Sequence, residues 1–158
     1  MSSVHDSAID AVRQGILDLK LTGLTSQNIH LRKVPWDNIN RPQYGVTLSP
    51  QVTDGSAETV EADGSNERDD IGYPIYVTMV MSTGKGWDQN RETMAEWRQK
   101  IWRTFHRKRL ASFSVAGVNQ IGCYVKPVTI HLPQQYVNDN LDVGQLLVRT
   151  WFRELRTP

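Results

Sequence analysis

Apolar residues near the start of the chain recur at three and four positions. Ile9, Val12, Ile16 and Leu19 fall on one stripe, so the spacing predicts a helix over about 4–21 that stops before Gly23. Ile29, Leu31 and Lys33 then alternate with His30, Arg32 and Val34, a strand pattern over 29–34 that Pro35 ends by removing a backbone donor. Residues 36–44 read as a loop, and 45–49 as a short β-prone piece closed by Pro50. The run YPIYVTMVMS over 73–82 is apolar at odd and even positions alike, as in a central strand covered on both faces. After the turn Ser82-Thr83-Gly84-Lys85-Gly86, Asp88 or Asn90 can cap a helix with the core stripe Met94, Trp97, Ile101 and Phe105, running to about 110. Extended structure follows over 121–132, where Pro127 demands an edge or a bulge. A last strand over 144–153 sets Leu146, Val148, Thr150 and Phe152 against Leu147, Arg149, Trp151 and Arg153.

One stretch fits no regular pattern. Residues 51–72 have few large apolar side chains, much Gly and Ser, and strong negative charge, so burial within the stretch cannot offset the entropy of ordering it. An extended acidic loop or arm is expected there. The order of elements predicts an α+β fold: a mostly antiparallel sheet of about five strands packed by two helices, in a single domain over 1–158. At 158 residues such a domain buries roughly 70% of its unfolded surface and needs no staple.

Charge divides along the chain. From Asp54 to Asp70 stand seven carboxylates (Asp54, Glu58, Glu61, Asp63, Glu67, Asp69, Asp70) and one cation, Arg68. From Asp88 to Leu110 seven Lys or Arg stand against three acids, and the net charge is +1. Lys100, Arg103 and Arg107 share the helix face opposite the core stripe at about 100° per residue. Opposite patches of this kind steer encounter between copies or partners and fix their register. The expected interface therefore pairs Glu58, Glu61, Asp63, Glu67, Asp69 and Asp70 of one subunit with Lys100, Arg103 and Arg107 of its neighbour. Each exposed ion pair contributes about 0–1 kcal/mol, so apolar anchors are also needed, and Trp36 and Trp87 are the candidates. Trp151 reads more as a core plug.

Catalytic chemistry finds little support. The four histidines and the one cysteine, Cys123, never approach metal-ligand spacing, so no metal or other cofactor is expected. Gly84-Lys85-Gly86 follows a strand and precedes a helix as a phosphate loop would. The first glycine of such a loop would fall on Met79, however, and Gly86 occupies the position of the magnesium-binding hydroxyl. No serine lies in a Gly-x-Ser-x-Gly elbow, and Asp69-Asp70 read as solvated rather than buried with shifted pKa. The expectation is that the chain is not an enzyme. Trp97 and Trp102 on the basic helix keep nucleic-acid binding open, although a pI of 7.9 lies below the range of a dedicated binder. The longest apolar runs are too short to span a bilayer, and MSSVHDSAIDAV lacks the basic flank and apolar centre of a signal peptide, so assembly in a cytoplasm is expected.

Taken together, four segments resemble the tail-terminator or tail-completion (neck) proteins of tailed bacteriophages. They are the opening helix with Ala8-Ile9-Asp10-Ala11-Val12-Arg13, the strand Tyr73-Pro74-Ile75-Tyr76-Val77, the helix from Met94 to Phe105, and the closing Asp142 to Arg149 with Trp151-Phe152-Arg153. The resemblance implies a structural virion protein, assembled in the host cytoplasm, that forms a homo-oligomeric ring, typically a hexamer, at the head-proximal end of the tail. One face of the ring would meet the tail tube protein, the other the head-tail connector or head-completion protein, with DNA present only in passage through the lumen. A head-completion or adaptor protein of the neck and a nucleic-acid-binding module stand as alternatives.

Overall fold

The computed structural model of the protein describes residues 3–31, 44–50, 59–62, 67–82, 87–128 and 141–155; for 44–50, 59–62, 82, 87–90 and 141 it describes the backbone alone. The chain opens with α1 (Val4–Asp18). Ser3 caps it, its hydroxyl oxygen accepting the Asp6 N–H at 3.1 Å, and Asp6 adds a negative charge to the first turn where the helix dipole favours one. Ala8, Ile9, Ala11, Val12 and Ile16 form its buried face. The helix stops at Asp18, short of the expected 21, because Lys20 turns into the left-handed region at φ 47°, followed by Gly23 at 78°.

A single 3₁₀ turn (Ser26–Asn28) leads into β1 (Ile29–Leu31), which lies parallel to β2 (Tyr44–Pro50). Next come β3 (Thr59–Ala62), β4 (Arg68–Ser82), α2 (Trp87–Phe105), β5 (Asn119–Pro127) and β6 (Leu141–Leu155). The sheet runs β1-β2-β4-β6-β5, with β3 added antiparallel to the early part of β4. All pairings except β1 with β2 are antiparallel.

This architecture corrects the expected sheet of about five strands with a long acidic loop. Among the described residues the sheet has six strands, and the stretch 51–72 supplies both β3 and the first residues of β4. Local composition argued against order there, but β4 needs no core of its own at that end. Its backbone continues a ladder with β6 that runs unbroken from Arg68 opposite Leu155 to Ser82 opposite Leu141, so every second residue added gains a pair of cross-strand hydrogen bonds.

Both helices cover one face of the sheet. Ile75, Val77, Met79 and Met81 of β4 and Leu146, Val148 and Phe152 of β6 are buried beneath them in one cluster with Trp97, Ile101 and Phe105 of α2. The helices approach closely: a Cβ on Gly15 of α1 would sit 2.8 Å from the Phe105 ring. Thr150 is the buried polar residue of this layer, and its hydroxyl donates to the Tyr73 carbonyl at 3.2 Å.

The second helix ends five residues before the expected 110, for a tertiary reason. Arg107, at φ 58°, leaves the helix so that its N–H donates to the Cys123 carbonyl (2.8 Å) while the Lys108 carbonyl accepts from Cys123 N–H (2.9 Å). The chain thus exchanges helical bonds for sheet-like bonds with β5. Pro127 lies at the end of β5, an edge strand, and the strand carries an irregularity between Gln120 and Gly122, which answers the constraint that proline imposed.

Candidate protein interface

The acidic residues predicted to meet a neighbour are divided by the fold. Asp70 is engaged within the chain: opposite it in the ladder, Arg153 donates from Nε to Oδ1 at 2.7 Å and from its terminal nitrogen to Oδ2 at 2.9 Å, a two-pronged pair. Next to it, Tyr73 donates its hydroxyl to Glu154 at 2.7 Å. Asp69 stands opposite Glu154 and Ala62 in the ladders, and Glu61 opposite Asp70. Glu67 is exposed just before β4 begins. Glu58, Asp63 and Trp36 lie outside the described residues. Trp87 is the first residue of α2, described by its backbone.

On the basic side, Lys100 pairs with Glu96 one turn earlier, both exposed. Arg103 and Arg107 are exposed, but the end of α2 at Phe105 takes Arg107 off the helix, so the expected continuous face of three cations is broken at its third member. Trp151 is half-buried with its indole laid across Gly72 of β4, where a Cβ would meet ring atoms at 3.0 Å. A larger residue at 72 would require the indole to shift by a few tenths of an ångström.

The structure also assembles a group that the sequence did not announce. Trp102 stacks on His106 with ring centroids 4.4 Å apart, and His106 touches Tyr124 of β5 at 4.9 Å. The i,i+4 spacing of Trp102 and His106 was visible in the chain, but the arrival of Tyr124 depends on how β5 docks. This cluster sits on the outer margin of β5 and satisfies its backbone. Trp102 donates its indole N–H to the Val125 carbonyl (3.3 Å), and His106 Nδ1 accepts the Val125 N–H (3.2 Å). With Cys123 held by residues 107 and 108 and with no N–H on Pro127, the outer groups of β5 from Cys123 onward offer no donor to another strand.

Among the described residues no set of three or more His, Cys, Asp or Glu is arranged to hold a metal ion, and no helix is long and apolar enough to cross a membrane. The Cys123 thiol is buried, which pushes its pKa up to about 12 against a weaker opposing hydrogen bond from Gln120. It is therefore a thiol, not a nucleophilic thiolate, at neutral pH. An open cleft of about 560 Å³ lies between Arg109, Phe113, Val115 and Gln120, and the Gln120 side chain in it is engaged by the Leu110 N–H at 2.9 Å. His5 is likewise structural: its Nε2 lies 3.3 Å from the Pro74 carbonyl and its ring packs on Tyr73.

No family model matches the chain, and no curated protein does. Among solved structures, a chain described as from the virion of a native gene transfer agent particle superposes with a TM-score of 0.60 at 13% identity, over 97% of this chain and 99% of that one. The two share a fold. The likeness spans both chains nearly end to end, so the α+β arrangement described above is common to them as a whole.

Proposed function

We propose that the chain is a structural virion subunit that forms a ring at the head-proximal end of a phage tail, closing the tail tube and joining it to the head connector. The observation that carries this reading is the near end-to-end likeness, in both directions, to a chain of a gene transfer agent virion. A local match would speak only for a common motif; one that leaves almost nothing over on either side speaks for a subunit of the same build. The reading takes residues 1–158 as one domain built on the single buried cluster. It assigns the chain no catalytic role. Its partners are further copies of itself, the tail tube protein and the connector or head-completion protein, with DNA only passing through.

Segregated charge supports the same reading. Glu67 is exposed just before β4, and Arg103 and Arg107 are exposed in the last turn of α2 and just beyond it, so contact between them joins two different patches. A contact of that heterologous kind closes into a ring when its rotation permits. The test is electron microscopy of the purified protein mixed with assembled tail tubes, together with its mass by light scattering. The expected result is a disc on one end of each tube, with a mass equal to a small whole number of subunits. Protein bound to the portal vertex of heads and never to tubes would replace the terminator by a head-completion or adaptor subunit. Protein bound to neither would end the virion reading.

A further inference from the structure

Trp102, His106 and Tyr124 form a platform that the fold fixes in place and leaves in contact with solvent. Trp102 is 41% and Tyr124 52% exposed, whereas the other tryptophans with described side chains, Trp97 and Trp151, are buried and half-buried. The indole is immobilised by its bond to Val125 and by the imidazole stacked against it, and His106 is tied to Val125 in turn. Aromatic groups already held in one arrangement lose little freedom when a partner covers them, which is the property of an interface anchor.

Among the described residues, cations stand close to the platform along α2 and β5. Lys126 lies two residues along β5, and Arg98 and Arg103 flank Trp102 on α2, all three exposed. The acid nearest to Trp102 along α2, Glu96, is held by Lys100. The β3–β4 end carries Glu61 and the exposed Glu67, while the neighbouring Asp70 and Glu154 already have partners inside the chain.

We propose that the platform of Trp102, His106 and Tyr124, rimmed by Arg98, Arg103 and Lys126, is the surface on which a second copy of this chain seats the acidic end of its β3–β4 pair. Charge complementarity selects this occupant: the chain's net charge is only +1, and the acids that balance these cations stand on a different element of the same molecule. Stacking on a nucleic acid would use the same aromatic and basic groups, but a near-neutral chain lacks the field that draws in a polyanion. The proposal rests on the ring reading and supplies the apolar anchor that surface ion pairs alone cannot provide.

The test uses the full chain, with and without tail tubes. Tyr124→Ser and Lys126→Glu are expected to weaken self-association by about tenfold or more each, as loss of an anchor does, with an unchanged melting temperature because both side chains are exposed. Glu67→Lys is expected to weaken it likewise, and combining Glu67→Lys with Lys126→Glu to restore it. Copies carrying Lys126→Cys mixed with copies carrying Glu67→Cys are expected to form a disulfide-linked dimer that neither gives alone, Cys123 being buried. Rings that form normally from the Tyr124→Ser and Lys126→Glu variants, without the mixed crosslink, overturn the platform and leave the ring reading standing. A chain that never associates, even on tubes, overturns both. Binding of single-stranded DNA that Tyr124→Ser abolishes, in a chain that stays monomeric, replaces the second copy by nucleic acid.

Discussion

The β4–β6 ladder has two halves built on different physics. From Tyr73 to Met81, β4 presents Ile75, Val77, Met79 and Met81 to the helices with almost no exposure, opposite Leu146, Val148 and Thr150 of β6. From Arg68 to Gly72 the same strand is charged or small apart from the half-buried Ile71, and it is held by register, by the fork between Asp70 and Arg153, and by the Trp151 indole over Gly72. The first half is a strand because its side chains leave water. The second is a strand because its neighbour already is one, and the facing pair of Asp70 and Arg153 ties the ladder there even though Asp69 faces Glu154.

This contrast is sharpest where the covered half is emptied. Trp97→Ala removes the largest fully buried side chain among the described residues and is expected to cost about 3–5 kcal/mol in chemical denaturation, unfolding both halves together. A loss below about 1 kcal/mol would mean that the helix layer does not hold the sheet. Gly15→Ala is expected to cost about 1–3 kcal/mol in spite of alanine's better helix propensity, because the new methyl meets the buried Phe105 ring at 2.8 Å. Stability raised by this change would refute the close packing of α1 on α2.

In the charged half, Arg153→Ala is expected to cost about 1–2 kcal/mol. Arg153 is itself 40% exposed, but Asp70, at 18%, is left without its fork. The loss should shrink in high salt, and hydrogen exchange should quicken at residues 68–72 while staying slow at 75–81. Uniform exchange along β4 would erase the distinction between the halves. The smallest effect at neutral pH belongs to Cys123. Its thiol is raised by burial from 9.0 to about 12, so above pH 9 the unfolded chain releases a proton that the folded chain keeps. Stability from this group is full below pH 9 and falls as pH rises toward 12, by up to about 1.4 kcal/mol per pH unit. Cys123→Ala should remove that slope, and the native thiol should resist alkylation at pH 8 until denaturant is added.

The same two halves mark what could be read in the chain. The stripe of α2, the alternation of β6 and the run over 73–82 were legible because each writes its burial into spacing, and Met94, Trp97, Ile101, Phe105, Leu146, Val148 and Phe152 fall where that spacing put them. β3 and the start of β4 were not legible, since Thr59 to Ala62 and Arg68 to Gly72 become strands through pairings with β6 residues far along the chain or across a turn. Of the candidate interface, Asp70 was assigned to a neighbour but is engaged within the chain by Arg153, a partner that charge counting along the chain cannot find. The end of α2 was misplaced for a similar reason: only the docked β5 shows why residues 107 and 108 stop being helical.

Sealing β5 with Trp102, His106, the 107–108 backbone and Pro127 shapes how copies can meet. A subunit with a capped margin cannot recruit its twin there by extending the pleat, the route that leads to runaway polymers. Contact on that side has to be made through side chains, one shape against another.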